Sequence, residues 1–239
     1  MLNILSLFSL TPENVGDMAC SWGNVYRRYY PTVLAHINDV REDYDKFDIV
    51  VIGGGGIINK SHEEGIWRAI NKSKKCLIRS VGVKDWKLAE KIKNVLGENF
   101  TVRHKVKGFK YEPCPSLWEV ERYKLTQGIN GEIQKTNDLL FALHQNNKNE
   151  ISLLKDKGHD VIVNNCEFLF ALDKISRAKK VITSSYHFMI WAKSFGCEVE
   201  FFGFDNNFNP ESLDEDSDLR KFLFIPVEFS SINIEKYLN

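Results

Sequence analysis

The chain carries no net charge. Its 239 residues hold 32 lysines and arginines against 32 aspartates and glutamates. That balance excludes the strong basic footprint of a protein built to neutralise nucleic-acid phosphates, while leaving room for a local basic patch. Cysteine is sparse and scattered, at Cys20, Cys76, Cys114, Cys166 and Cys197. No pair has the C-x-x-C spacing of a zinc site or redox motif, and an odd set fits a reducing compartment better than a disulfide framework. No run approaches the roughly 18 apolar residues of a membrane-spanning helix, so any membrane contact is expected to be peripheral. The opening segment from Met1 to Leu10 is apolar but has no basic leader, and reads as a first buried strand rather than a signal peptide.

What is present is an alternation of strand-like and helix-like segments. The apolar fraction of 43% is enough for a real core, and the length suits one large domain or two small ones. Strands are expected at Asn3–Leu7, Asp48–Ile52, Cys76–Ser80 and Phe100–Arg103. Helices are expected at His62–Asn71, where Ile66, Trp67 and Ile70 make an apolar face, and at Asp85–Leu96. Trp22–His36 reads as mixed and partly helical. A second series follows: strands at Asp138–Leu143, Asp160–Val163, Lys180–Ile182 and Val199–Phe202, with helices around Ile151–Leu154, at Phe168–Ala178 and at Tyr186–Phe195.

Between the two series, residues 106–137 hold Gly108, Pro113, Pro115, Gly128 and Gly131 with weak periodicity, and read as a junction. The order predicts an α/β fold of two Rossmann-like lobes with mainly parallel sheets, with a ligand expected between the halves. The expected division is an N-terminal lobe at 1–112, a junction at 113–137, and a C-terminal lobe and tail at 138–239. The tail beyond Asp205 is acidic and polar as far as Arg220.

Two strand ends stand out chemically. Asp48–Ile52 runs into Gly53, Gly54, Gly55 and Gly56. Four glycines allow close approach of backbone to ligand and expose amide N–H groups, or simply make a tight turn. Their spacing fits neither G-x-G-x-x-G nor a G-K-[ST] phosphate loop. The second strand end is Thr183-Ser184-Ser185-Tyr186-His187. It sets three hydroxyls and an imidazole at a helix start, where an anion and a proton-transfer group can meet. Ser184 or Ser185 is expected to cap that helix. Arg103 ends a short strand, and its planar fork suits a carboxylate or phosphate. Asn14-Val15-Gly16-Asp17 follows the first strand; Asp17 either orients a sugar hydroxyl or caps a helix. His62, Glu63 and Glu64 lie just beyond the glycine run; the acids suit a helix N-terminus, and a role of the three in acceptor binding is the alternative. Trp22, Trp67 and Trp191 read as core or rim.

Taken in order, these segments resemble the polysaccharide pyruvyl transferase family. Asn14–Asp17 resembles its N-x-G-D, and Asp48–Gly55 its D-x-x-x-x-G-G-G. Ser80-Val81-Gly82-Val83 resembles a following G-x-G region, with Val83 at the second glycine. Thr101-Val102-Arg103 resembles its V-R element. Pro113-Cys114-Pro115-Ser116-Leu117 resembles its D-P-x-L region, with Cys114 where an acid is common. Thr183–His187, followed by Ala192 and Gly196, resembles its T-S-R-L-H or S-S-S-L-H signature. The resemblance spans residues 1 to 205.

The resemblance implies a two-lobed, GT-B-like arrangement and transfer of the enolpyruvyl group of phosphoenolpyruvate onto a saccharide hydroxyl, forming a pyruvate ketal. Arg103 would bind the donor's anionic groups, and His187 would act as general acid or base. Asp17 would join them as a catalytic residue. Asn14, Gly16, Gly53–Gly56, Ser184 and Ser185 would line the substrate. Ser185 stands where the T-S-R-L-H form has an arginine, so Lys60, Arg79 or Lys84 would have to supply the missing cation. The resemblance requires neither metal nor cofactor. It implies a saccharide or lipid-linked saccharide acceptor, no nucleic-acid partner, and a cytoplasmic enzyme at the inner face of the membrane, peripheral to it and compatible with a homo-oligomer. The residues alone leave two alternatives open: a nucleotide-sugar-dependent glycosyltransferase, and a noncatalytic saccharide-binding or scaffold protein.

Overall fold

The computed structural model describes residues 2–10, 13–128 and 133–201. These form two compact units. The first comprises residues 2–10 and 17–116, and the second residues 13–16, 117–128 and 133–201. Each is built on its own sheet.

The sheet of the first unit has six strands: β1 (Ile4–Phe8), β2 (Thr32–His36), β3 (Ile49–Gly53), β4 (Cys76–Val81), β5 (Phe100–Val102) and β6 (Lys110–Tyr111). Their spatial order is β2-β1-β3-β4-β5-β6, and all neighbouring pairs run parallel. Such a sheet is covered on both faces, which is why its strands read as continuous apolar runs. Alternation sorts the side chains. Leu5, Leu7, Val50, Ile52, Cys76 and Ile78 enter one cluster, while Ile4, Val51 and Leu77 meet Trp22 on the opposite face. Fully burying a Leu or Ile side chain contributes about 1.5–3 kcal/mol.

Four helices accompany this sheet in sequence: α1 (Val15–Ala19), α2 (Trp22–Tyr26), α3 (Glu63–Lys72) and α4 (Trp86–Leu96). α2 is capped by the Ser21 hydroxyl, which accepts the Gly23 N–H at 3.2 Å. α4 is capped by Asp85, whose carboxylate accepts the Leu88 N–H at 3.0 Å. Glu63 and Glu64 occupy the first turn of α3, favourably placed at the positive end of its dipole. α3 buries Ile66 and Ala69 in the larger cluster, whereas α2 carries Trp22 to the other face. The connections leaving β1 and β3 thus diverge to opposite faces, which makes the β1/β3 boundary a topological switch point.

Next come α5 (Ser116–Thr126) and the second sheet: β7 (Asn137–Leu143), β8 (Val161–Val163), β9 (Ala178–Thr183) and β10 (Glu198–Phe201). This sheet is also parallel, ordered β10-β9-β7-β8. Its helices are α6 (Lys148–Asp156), α7 (Phe168–Arg177) and α8 (Tyr186–Ser194). Leu154 of α6 packs with Phe141, Leu143 and Ile182. The chain goes from β7 to β8 on one side, then returns to β9 on the other, so the β7/β9 boundary is the switch point here.

The α/β class and the parallel sheets agree with the sequence expectation. Trp22–His36 is mixed and helical in part, as expected: α2 gives way to the edge strand β2, where Val33 and Leu34 are exposed, so neither a period of two nor an apolar run marks the strand. Two local readings differ. The segment 106–137 is not irregular throughout: it holds β6 and the three-turn α5. Its Pro113 and Pro115 precede that helix, and Gly128, at φ 67°, follows it. They are helix punctuation, and the helix itself leaves Trp118 and Leu125 in solvent, which blurs its period. The expected strand at Val199–Phe202 is β10, one residue earlier. Phe202 and the acidic tail lie outside the described residues, as does Gly131.

Candidate functional site

Within the first unit, the loop after β3 lies at the switch point and is shaped by close backbone approach. Gly54 and Gly55 have φ of 86° and 69°, a conformation that favours glycine. A Cβ on Gly54 would sit 2.1 Å from the Cys20 carbonyl oxygen, and one on Gly53 would sit 2.5 Å from that of Arg79. A Cβ on Gly55 would meet Asp17 Oδ1 at 3.2 Å. The four-glycine run therefore serves as a tight turn, and it also presents bare backbone beside Asp17. Asp17 lies inside α1 rather than capping it.

The loop is stitched to β4. Gly82 N–H donates to the Gly55 carbonyl at 2.8 Å, and Ile58 N–H donates to that of Gly82 at 3.2 Å. Gly82 in turn carries Arg103: a Cβ there would fall 2.7 Å from Nη2 and 2.9 Å from Cζ of the guanidinium. Arg103 N–H donates to Val81 at 3.0 Å. The guanidinium is laid along the end of β4, one hydrogen bond from the glycine loop. Burial pushes the Cys20 thiol well above its usual range. The hydrogen-bonded Cys114 thiol and the Asp17 carboxylate push the same way, and Arg103 opposes them. Asp17, Cys20, Arg103 and Cys114 therefore share one neighbourhood in this unit.

Two of the three candidate substitute cations separate clearly. Arg79 is committed to Glu112 through both Nε and Nη2, and its guanidinium lies 5.3 Å from the Trp22 ring. Glu112 also accepts from Thr101 Oγ1 at 2.6 Å, and Thr101 Oγ1 accepts the Ser80 N–H at 2.8 Å. This network holds Ser80 at φ 53°, inside a register shift of β4. Lys84 has its Cε 3.5 Å from the position of a Gly56 Cβ, so it flanks the glycine loop. Lys60 lies in the exposed 3-10 turn Lys60–His62.

Within the second unit, the switch point gathers the hydroxyl–histidine segment with residues that sequence reasoning had not singled out. Thr183 Oγ1 donates to the Ala142 carbonyl and accepts the Ser185 N–H at 3.0 Å. Ser184 Oγ accepts the His144 N–H at 2.8 Å and donates to Asn147 Oδ1 at 2.7 Å. Neither serine side chain caps α8, contrary to the expectation. Ser185 occupies the N-cap position without a side-chain cap bond, and Ser184 is drawn across to β7. The polar His144, Asn147 and Asn164 are spread along the chain with no shared period, so only the strand order brings them here.

His187 is 5% exposed, in the first turn of α8, flanked by the Tyr186 and Trp191 rings at 5.3 and 6.0 Å. Gly16 is packed directly on it. A Cβ at Gly16 would lie 2.2 Å from Nδ1 and 2.5 Å from Cγ. Gly16 N–H donates to Asn14 Oδ1 at 3.1 Å, and Val15 N–H donates to the Asn164 carbonyl at 2.7 Å. The N-x-G-D segment is thus anchored against the histidine.

Each unit is therefore a doubly wound parallel α/β layer whose polar residues collect at the carboxyl ends of its strands, the position where such folds bind ligands. No protein-family model matches the chain, and no curated protein matches it. Among solved structures it is similar to an uncharacterised protein from Klebsiella pneumoniae subsp. pneumoniae NTUH-K2044, with 16% identity, a TM-score of 0.57, and coverage of 95% of this chain and 91% of that one. At that identity the likeness shows the fold alone. The catalytic subunit of cobaltochelatase from Mycobacterium tuberculosis matches with 11% identity and a TM-score of 0.27, over 77% of this chain and 18% of that one, too distant to carry an argument.

Proposed function

We propose that the protein is a polysaccharide pyruvyl transferase, moving the enolpyruvyl carbons of phosphoenolpyruvate onto a saccharide hydroxyl. The observation that carries this reading is positional. The segments that resemble the family follow the carboxyl ends of successive parallel strands: Asn14–Asp17 after β1, Gly53–Gly56 at β3, Gly82 after β4, Arg103 after β5, and Ser184–His187 after β9.

The reaction asks for two capacities, and each unit has residues for one of them. Phosphoenolpyruvate is a carboxylate and a phosphate on one small frame, so it needs cations and backbone amides. In the first unit Arg103 and the glycine loop suit that task, with Lys84 as the nearby cation in place of the arginine that Ser185 replaces. Arg79, held by Glu112, is the weaker candidate. Protonation of the donor's methylene carbon makes C2 electrophilic. A saccharide hydroxyl attacks C2, giving up its proton, and the C2–O bond to phosphate breaks. A second hydroxyl can then close the ketal. His187 in the second unit is the proton-transfer group, a role worth roughly 10²–10⁴-fold in rate. An acceptor on a lipid carrier would bring the protein to the inner membrane face from the cytoplasm. No helix among the described residues is long and apolar enough to cross the membrane itself.

Calorimetry with phosphoenolpyruvate tests the reading. Saturable binding is expected, lost in Arg103→Ala and retained in His187→Gln, which should instead lose phosphate release in the presence of an acceptor. A folded protein that ignores phosphoenolpyruvate would overturn it.

A further inference from the structure

Beside the hydroxyl–histidine segment, in the same unit, lies an open groove of about 680 Å³. One wall is a face of α6. Lys148, Ile151, Ser152 and Lys155 line it at the i, i+3, i+4, i+7 spacing that places side chains on a single helix face. The other wall is made by Gln145 and Asn146, just after β7, and by Val163 and Asn165 at the end of β8; Glu13 closes it. Ile151 also packs toward the sheet beside Leu154, while Lys148, Ser152 and Lys155 are exposed. The groove thus gathers two ammonium groups and a hydroxyl with three amides and a carboxylate.

This groove adjoins the His187 neighbourhood through three chain segments. Glu13 lines the groove, and three residues on Gly16 packs against the imidazole. Asn147 stands between the lining residues Asn146 and Lys148, and its Oδ1 accepts from Ser184 Oγ. Asn164 stands between Val163 and Asn165; its Oδ1 accepts the Gln145 N–H at 2.8 Å and its carbonyl accepts the Val15 N–H. Asn164 is 1% exposed, yet its Nδ2 has no hydrogen-bond partner among the described residues. A buried donor of this kind usually finds a partner, in protein, water or ligand.

We infer that this groove is a subsite for an anionic saccharide, binding it next to His187. Amides and a carboxylate are the groups that pair with sugar hydroxyls, both donating and accepting. The two lysines select for a negative substituent, a phosphate or a uronic carboxylate, as compact point charges do. The small apolar contribution of Ile151 and Val163 suits the C–H face of a pyranose. The inference rests on the transferase reading for what the saccharide is doing there, and names its acceptor class: a glycosyl phosphate or a uronate-bearing chain, not a neutral glucan.

Calorimetric titration of the whole protein separates the two ideas. The probes are glucose 1-phosphate and galactose 1-phosphate, glucuronate and galacturonate, maltose as the neutral control, and phosphoenolpyruvate. Binding of a phosphate or a uronate probe is expected, at least ten-fold weaker in the double variant Lys148→Ala/Lys155→Ala and unchanged in Arg103→Ala. The phosphate and uronate arms distinguish the two sources of charge. Phosphoenolpyruvate binding should survive the lysine changes, which also shows that the variant is folded. Sugar-anion binding that needs the lysines, without any phosphoenolpyruvate binding, sustains the groove and sinks the transferase. Maltose binding as tightly as the anions, no binding by any sugar probe, or anion binding indifferent to the lysines overturns the groove.

Discussion

Gly16 is held so closely against His187 that any side chain at position 16 would enter the imidazole ring, 2.2 Å from Nδ1. Hydrogen bonds fix the glycine from both sides, through Asn14 on its own N–H and through Asn164 on the preceding residue. The ring is thereby confined to one position, with Trp191 and Tyr186 beside it.

Gly16→Ala is therefore expected to displace the imidazole rather than unfold the unit. Overpacking of this kind costs about 1–3 kcal/mol. The His187 ring protons should shift in an NMR spectrum, and phosphate release from phosphoenolpyruvate should fall by about 10²-fold or more. An unchanged His187 spectrum in the variant would show that the packing does not position the ring.

The thiols make a pH prediction. Burial raises Cys76 from 9.0 to about 12, and burial with neighbouring groups raises Cys20 as well. For a thiol, a raised folded-state value means that the unfolded chain loses its proton first. The stabilisation is full below pH 9 and is lost as pH climbs from there through about 12. Each pH unit in that window removes up to about 1.4 kcal/mol per thiol. Thermal melts at pH 8 to 11 should fall accordingly, and Cys76→Val should fall less steeply.

Reactivity follows the same ordering. All five cysteines are thiols, and four are buried while Cys166 is half-buried. A disulfide reagent at pH 8 should label Cys166 first and the other four only on unfolding, since reaction needs an accessible thiolate. Fast labelling of Cys20 would contradict the buried arrangement at the glycine loop.

The Arg79–Glu112 pair should be structural. Glu112→Gln keeps the shape but removes the charge that Arg79, Thr101 and the Ser80 bulge are arranged around. A loss of about 1.5–3 kcal/mol is expected, the range for hydrogen bonds to a charged group. Phosphoenolpyruvate affinity should weaken far less than in Arg103→Ala. An equal weakening would return Arg79 to the list of donor-binding cations.

Ser80 gives a paired test. Its hydroxyl donates to the Pro113 carbonyl at 2.7 Å while its backbone sits at φ 53°. Ser80→Ala loses the bond and keeps the strain; Ser80→Gly loses the bond and relieves the strain. The glycine variant should be the more stable of the two by roughly 1 kcal/mol in urea unfolding.

Much of the architecture was written locally. Ile49–Gly53 is a buried strand whose apolar run announces itself, and α3 and α4 carry clear apolar faces. Glycine at 53–56 marks a backbone that must turn and approach other chain closely, a property of residue type alone. β2 and α5 were obscure because both show apolar side chains to solvent, Val33 and Leu34 in one, Trp118 and Leu125 in the other. Period is legible only where one face is wet and the other dry.

The candidate sites divide along the same line. Sequence by itself determined which residue types stand at strand ends: Asp17, the glycines, Arg103, the hydroxyls and His187. Only tertiary structure decided their company. Strand order in a sheet is set by crossovers between segments distant in sequence, and it alone brings Ser184 to His144 and Asn147, and Asn164 to Gln145. The packing of Gly16 on His187 is likewise tertiary. The fold also ties Arg79 to Glu112 and leaves Lys84 beside the glycine loop. A charge in a sequence has no partner until the fold supplies one, because its interaction depends on distance through space and on burial, neither of which is a property of the residue.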